Sequence, residues 1–148
     1  MKRSMLVLLV LTLAVSVILS GCGSQGGGAG GKKEEVIKIG AIYPLSGNMA
    51  ALGEESLRGV ELAAKVRNEK GGINGKKIEI VKADAPDANA AQAEANRLIT
   101  QQNIKVLVGT YSSSLSYTAT EVAERNKVPY FEFGAIADNI TARGFKYT

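Results

Sequence analysis

The sequence contains no histidine, no tryptophan and a single cysteine, Cys22, in 148 residues. Without histidine, these residues cannot form a Ser-His-Asp triad, a Cys-His pair or a histidine-ligated metal site. A single cysteine also excludes an internal disulfide and a thiolate zinc cluster. We therefore expect no catalytic residues, no metal and no cofactor in this chain.

A strong excess of charge is also missing. The chain has 18 basic and 14 acidic residues, a net charge of +4, and Lys2 and Arg3 supply two of the positive charges. Such a weak, interleaved charge argues against a nucleic-acid partner. The length suits about one domain, and 45% hydrophobic with 22% charged residues is typical of a globular protein.

The first 22 residues have the order of a secretory signal. Lys2 and Arg3 precede the apolar run 5–19, which is shorter than the roughly 20 residues of a membrane-spanning helix. The sequence LSGC at 19–22 then resembles the lipobox of bacterial lipoproteins, in which a lipid is attached to the cysteine and the leader is cut before it. We expect residues 1–21 to be a lipoprotein signal peptide; the alternative is an uncleaved anchor helix with an incidental cysteine.

A glycine-rich stretch follows the cysteine. Residues 22–35 carry almost no apolar bulk and are typical of a flexible tether, so we expect the lipidated Cys22 and this tether to precede a folded domain at 36–148. The domain is then expected outside the cytoplasm, anchored by lipid to the bacterial cell membrane.

Residues 36–148 alternate between strand and helix signals. Apolar, β-rich runs predict strands at 36–43, 76–84, 104–109 and 128–133. Helical spacing occurs in 52–72, in 87–103 with Asp87 or Asn89 as the cap, and around 115–123. The order βαβαβαβ predicts an α/β fold with a parallel sheet and flanking helices.

Small and polar residues collect where the predicted strands end. In parallel sheets, ligands bind at the carboxyl ends of the strands. The corresponding segments are 43–48, 83–87, 109–116 and 133–138.

Asn74-Gly75 is either a hairpin turn or a helix-to-strand turn, and we favour the second because no strand signal precedes it.

Four stretches carry a resemblance to a known family: IKIGAIYPLSGNMAALGEESLRGVELA, GGINGKKIEIVKAD, VLVGTYSSSLSYTATEVAERNKVPYF and RGFKY. In order and spacing, they resemble the leucine/isoleucine/valine-binding solute-binding proteins of branched-chain amino-acid ABC importers. The resemblance covers residues 36–148. It implies an incomplete first lobe of a two-lobe type I periplasmic binding protein fold, present here as an N-terminal fragment. It also implies an amino-acid ligand, a membrane permease as partner, and weak binding with exposed apolar surface for residues 36–148 alone.

The resemblance also assigns site residues. Ser113 matches the family serine that holds the ligand carboxylate at a helix amino terminus, a position where free N–H groups and the helix dipole favour an anion. Ser112 and Ser114 flank it. Leu52, in the loop after the first strand, matches a position lining the side-chain pocket.

The loop after the fourth strand completes the implied site. Gly134, Ala135 and Ile136 match the family loop that grips the ligand through backbone carbonyls and a threonine hydroxyl. Ile136 replaces that threonine, a departure that puts an ordinary amino-acid ligand in question. A disulfide common in the family would fall at Pro86 and Ser112, so this chain lacks it.

Each of these residues also has an ordinary structural interpretation. The serine run 112–114 is also typical of a polar loop ending in a helix cap. Asp84 and Asp138 could contact a ligand amine or cap a turn or helix; for Asp84 we favour the cap. Tyr43 and Tyr117 could line the cleft or simply pack.

The function that follows is an extracytoplasmic solute receptor of an ABC importer, with no catalysis. The alternative is an extracytoplasmic sensor or regulator that uses the same lobe to signal to a membrane partner. A secreted α/β enzyme is a weaker third interpretation, because the chain has no histidine.

Overall fold

Four parallel strands form the centre of the structure, a computed structural model that describes residues 35–148. The strands are β1 (Ile37–Tyr43), β2 (Ile78–Asp84), β3 (Leu107–Gly109) and β4 (Tyr130–Glu132). Their order across the sheet is β2-β1-β3-β4, and each neighbouring pair is parallel. The predicted α/β fold with a parallel sheet is confirmed. The expected leader at 1–21 and Cys22 lie outside the described residues.

Helices follow each strand. They are α1 (Ala50–Glu69), preceded by a 3-10 turn (Gly47–Met49), then α2 (Ala88–Thr100), α3 (Ser113–Asn126) and the short α4 (Asp138–Thr141). None of the helices in residues 35–148 is long and apolar enough to cross a membrane.

The alternation of side chains along β1 separates the core into two layers. Ile42 lies on one face with Leu98 of α2 and Leu115 of α3. Ala41 and Tyr43 lie on the opposite face, where α1 covers them. The sheet is therefore packed between α1 on one side and α2 with α3 on the other.

Strands β3 and β4 are shorter than the apolar runs predicted. The run before β3 includes Ile104, whose N–H bonds to the carbonyl of Leu98 at the end of α2 (3.0 Å). The run before β4 includes Val128, whose N–H bonds to the carbonyl of Ala123 in α3 (3.0 Å). Both side chains are buried in the core, but the backbone N–H groups of these residues bond back to the preceding helices and not to a neighbouring strand.

Part of the face beneath α1 is open. Phe131 pairs in register with Val108 and therefore shares that face, yet it is 53% exposed, and Phe133 is 71% exposed. The expected exposed apolar surface thus lies along β4 and just beyond it.

The structure resolves two alternatives that the sequence left open, at the start of α2 and at the turn before β2. Asp87 caps α2 by accepting a hydrogen bond from the N–H of Ala90 at 2.9 Å, which decides between the two predicted caps. Asn74 and Gly75 both have positive φ, and Ile73 and Lys76 exchange two backbone hydrogen bonds across them. The connection joins a helix to a strand, as predicted, through a two-residue turn of hairpin type.

Candidate ligand-binding site

The strand order places a crevice at the carboxyl ends of β1 and β3. The chain leaves β1 to form β2 on one side and then returns across β1 to form β3 on the other. In open α/β sheets, ligands bind where the winding reverses in this way. The loops after β1, β3 and β4 therefore surround the candidate site.

Asp84 fixes the loop after β1. Its Oδ1 accepts the N–H of Leu45 at 2.8 Å, and its Oδ2 accepts the hydroxyl of Ser46 at 2.6 Å. Asp84 therefore caps the loop between β1 and α1, whereas Asp87 caps the helix that follows β2. Both acceptor oxygens of Asp84 are engaged in shaping this loop.

The serine run forms the start of α3. Ser112 occupies the cap position without a side-chain capping bond, and its hydroxyl lies 3.0 Å from that of Ser114. The first helical hydrogen bond runs from the N–H of Ser116 to the carbonyl of Ser112 (2.9 Å). The amides of Ser113 and Ser114 precede that bond and sit at the positive end of the helix dipole.

Ser113 and Ile136 bring the start of α3 and the loop after β4 into contact. The N–H of Ile136 donates to the hydroxyl oxygen of Ser113 at 3.3 Å, which leaves the hydroxyl proton of Ser113 able to donate elsewhere. The Ile136 side chain is 92% exposed. Beside this contact is a cleft of about 310 Å³ whose lining is Ser113, Ser114, Tyr117, Ala137 and Asn139.

Gly134 allows the loop after β4 to approach the loop after β3. A Cβ at this position would lie 2.9 Å from the Cα and the carbonyl oxygen of Tyr111, closer than side chains pack. Gly134 and Tyr111 also line a second cavity of about 340 Å³, together with Tyr43 and Phe133. This cavity lies on the α1 side of the sheet. The loops after β3 and β4 therefore lie between this cavity and the cleft beside Ser113.

Glu132, the last residue of β4, connects these two loops. Its carboxylate accepts hydrogen bonds from the amides of Gly134 and Ala135 in the loop after β4, from the amide of Thr110 in the loop after β3, and from the hydroxyl of Ser116 in the first turn of α3. Sequence reasoning missed this residue. The available signal was a carboxylate at the end of an apolar, half-buried strand, where charged residues are rare.

Two tyrosines near this carboxylate are held in the neutral form. Burial, with a smaller contribution from the charge of Glu132, raises the pKa of Tyr43 to about 12. Burial also raises the pKa of Tyr130 well above its ordinary value. Tyr43 is only 1% exposed and packs with Leu57, so packing is its main role, although its ring also borders the second cavity.

Leu52 requires a correction. The resemblance implies a position in the loop after the first strand, but Leu52 lies in the first turn of α1, with 48% of its surface exposed. The reason is local, because Ala50 and Ala51 favour helix and start α1 before Leu52. Its carbonyl accepts the hydroxyl of Ser56, one helical turn further on (2.9 Å).

The other weighed residues lie around α4. Asp138 is the first residue of α4, and the cap position belongs to Ala137. Tyr117 of α3 is 40% exposed, and its ring is covered by the guanidinium of Arg143 at 4.2 Å. Arg143 also donates to the carbonyl of Tyr117 and the hydroxyl of Thr120, which fixes the segment after α4 against α3.

Within residues 35–148, no group of three or more acidic, histidine or cysteine side chains is placed to hold a metal ion.

This parallel α/β lobe has hydroxyls and helix amides near its topological switch point, the place where folds of this class bind ligands. The chain belongs to the periplasmic binding protein family, whose model matches residues 36–148. The resemblance to the leucine/isoleucine/valine-binding type is confirmed, and the fold is that of part of a lobe of these proteins.

Individual relatives agree with this assignment. The chain is 49% identical over 111 residues to the Leu/Ile/Val-binding protein homolog 8 of Brucella abortus, a match covering 75% of this chain and 28% of that protein. The chain therefore matches little more than a quarter of that relative's length.

Solved structures give the same result. The branched-chain amino acid transporter substrate binding protein LivJ from Streptococcus pneumoniae, in complex with isoleucine, matches with a TM-score of 0.73 at 33% identity. That match covers 76% of this chain and 32% of LivJ. A solute binding protein of an ABC transporter from Rhodopseudomonas palustris, in complex with 3,4-dihydroxy benzoic acid, matches with a TM-score of 0.68 at 26% identity, covering 76% and 30% of the two chains.

Proposed function

We propose that this chain is part of an extracytoplasmic solute receptor of an ABC importer, without catalytic activity, and that it captures a branched-chain amino acid or a related small polar solute. The observation that carries the proposal is the contact between Ser113 and Ile136 at the start of α3. The contact joins the hydroxyl of Ser113 and the first turn of α3 to the loop after β4, at the carboxyl ends of the strands, in a chain of this family.

The chemistry of this arrangement fits a carboxylate ligand. Helix amides that precede the first helical hydrogen bond have no acceptor within the helix, and the helix dipole favours a negative charge there. Ser112, Ser113 and Ser114 add hydroxyls at the same point. In this proposal, Ser113 donates to the carboxylate, while Gly134, Ala135 and Ile136 contact the rest of the ligand.

The exposed side chain of Ile136 broadens the ligand class. An isoleucine offers apolar surface and no hydroxyl, so part of the ligand that it meets should be apolar. Two solved relatives are in complex with isoleucine and with 3,4-dihydroxy benzoic acid, and we choose both kinds of carboxylate as test ligands. Leu52, exposed on the first turn of α1, is proposed to meet the ligand's side chain.

The ligand test uses the protein expressed from its complete gene, with residues 1–21 removed and Cys22 replaced by serine. Leucine, isoleucine, valine and 3,4-dihydroxybenzoic acid are added separately, and the unfolding temperature is measured. A ligand that binds the native state raises it. No shift with any of the four would contradict the proposal.

Ser113→Ala tests the site itself. Loss of a hydrogen bond to a charged group should weaken the binding of the best ligand by roughly tenfold or more in calorimetry. Thr100→Ala is the matched control, because it deletes a hydroxyl that bonds to the carbonyl of Asn96 near the end of α2. Equal affinities for the two variants would contradict a ligand role for Ser113.

The membrane part of the proposal concerns the leader 1–21, Cys22 and the tether 22–35. Cys22 is proposed to carry a lipid that anchors the receptor outside the cell, close to its permease. Metabolic labelling with a radioactive fatty acid should mark the native protein but not the Cys22→Ser variant. Crosslinking in cells should recover a permease; recovery of a signalling protein alone would favour the sensor interpretation.

A further inference from the structure

The carboxylate of Glu132 receives hydrogen bonds from two loops at once. Oε1 accepts the N–H groups of Gly134 and Ala135, at 2.6 Å and 2.7 Å. Oε2 accepts the N–H of Thr110 at 3.2 Å and the hydroxyl of Ser116. Both carboxylate oxygens are thus occupied by donors of this chain, and the donors come from the loop after β3 with the first turn of α3 and from the loop after β4.

These donors are the immediate neighbours of the proposed ligand residues. In the sequence, Thr110 precedes the serine run 112–114 and Ser116 follows it, and both residues are fully buried. Gly134 and Ala135 precede Ile136, whose own N–H goes to Ser113. All three amides of 134–136 therefore donate to Glu132 or Ser113.

Only a carboxylate suits this position. Four donors converge on its two oxygens, and an ionised carboxylate is a side chain with acceptors alone. Glutamine has the same size, but its amide group would bring two N–H donors to face two of these donors. Hydrogen bonds to an ionised group are also about twice as strong as neutral ones.

We propose that Glu132 is a positioning residue of the ligand site, whose carboxylate holds the loops after β3 and β4 in the one arrangement in which Ser113 and residues 134–136 meet the ligand together. This inference rests on the proposed function, and Glu132 itself does not touch the ligand. A site held in its binding conformation before the ligand arrives avoids the ordering penalty of forming that conformation on binding.

The first experiment examines the unliganded protein expressed from its complete gene. Amide exchange and proton chemical shifts of Thr110, Gly134 and Ala135 are compared between wild type, Glu132→Gln and Glu79→Gln. Glu79 is a matched control, because it is a strand glutamate in a partly exposed pair with Lys38. We expect roughly tenfold faster exchange and displaced amide shifts in Glu132→Gln only, since a lost bond to a carboxylate is worth about that factor.

The second experiment measures affinity, with leucine and isoleucine as probes, at a temperature well below the unfolding temperature of every variant. Glu132→Gln should weaken binding by roughly tenfold, and Glu79→Gln should leave it unchanged. Ser116→Ala keeps the carboxylate and removes one of its four donors, so it should give a smaller loss. It also replaces Glu132→Gln in both experiments if that variant does not fold.

The outcomes separate this inference from the proposed function. Unchanged affinity with lower thermal stability would mean that Glu132 is purely structural and would overturn the inference. If wild-type protein binds neither probe, the proposed function fails for these ligands, and amide exchange then tests only whether Glu132 holds the two loops. Unchanged exchange at Gly134 and Ala135 in Glu132→Gln would overturn the inference, whereas faster exchange confined to the two loops would support the holding role alone.

Discussion

The carboxylate of Asp84 accepts the backbone N–H of Leu45 at 2.8 Å and so ties the end of β2 to the loop that leaves β1. The two residues are 39 positions apart in sequence, and the contact lies beside the paired strand ends Tyr43 and Asp84. This bond, with the one from Ser46, sets the path by which the chain enters α1.

Asp84→Ala should therefore destabilise the fold. The variant loses two hydrogen bonds to a carboxylate near the surface, and we expect the free energy of unfolding to fall by about 1–2 kcal/mol. Urea denaturation measures this change. Asp84→Asn is the control, because its amide retains one acceptor oxygen for Leu45, and a loss as large as that of alanine would argue against the bond to Leu45 as the source.

Two glycines of α1 should respond in opposite ways to alanine. A Cβ on Gly53 would overlap the carbonyl group of Pro44, whereas a Cβ on Gly59 meets nothing within 4 Å. Gly53→Ala should destabilise the protein by more than about 1 kcal/mol, and Gly59→Ala should stabilise it by up to about 1 kcal/mol through helix propensity. Thermal and urea unfolding of the two variants give the comparison, and stabilisation by both would show that α1 is not packed tightly on Pro44.

Stability should fall in strongly alkaline solution. Burial and then the charge of Glu132 raise the pKa of Tyr43 from 10.0 to about 12. Between these values the unfolded chain loses the phenol proton while the native state keeps it, so the free energy of unfolding decreases as pH rises through this window. The contribution is fully present below pH 10.

Tyr43→Phe isolates this effect, because it removes the titrating hydroxyl and keeps the ring. The variant should show a shallower decline of the free energy of unfolding across the same window, in urea denaturation at a series of pH values. Parallel curves for the wild type and the variant would mean that the phenol of Tyr43 ionises as readily in the native state as in the unfolded chain.

Ile136→Thr should change the choice of ligand. The substitution replaces exposed apolar surface by a hydroxyl in the loop that bonds to Ser113. We expect tighter binding of leucine, because a hydroxyl can pair with the amine that only leucine has, and weaker binding of 3,4-dihydroxybenzoic acid, because its ring loses apolar contact; each change should be severalfold. Calorimetry with both ligands measures the ratio, and Ile136→Val controls for size. An unchanged ratio would place Ile136 outside the ligand contacts.

The regular parts of this fold were predictable because they depend on local signals. The run around Ile42 and the spacing in 87–103 specify a buried strand and an amphipathic helix, and Asp87 marks the helix start. Their alternation then defines the parallel sheet. The exact ends of β3 were not predictable, since Ile104 is as apolar as a strand residue but bonds to the preceding helix.

Small polar residues at the strand ends and the family resemblance predict Ser113 and 134–136 as ligand residues, and the structure brings Ser113 and Ile136 into contact. Their binding role stays a prediction, and the connections around them were not predictable. The role of Glu132 depends on donors as far as 22 residues away in sequence, which no local pattern encodes. The family resemblance implies a loop position for Leu52, whereas the helix begins at Ala50 and includes it.

The turn at Asn74 and Gly75 has a practical consequence. It is exposed, it precedes the amino end of β2, and its bridge between Ile73 and Lys76 closes independently of the rest of the sheet. The loops that surround the proposed ligand lie at the other end of the strands. A short peptide epitope or a fluorescent label introduced at this turn would leave the crevice free, which makes residues 74–75 a suitable attachment point on the folded domain.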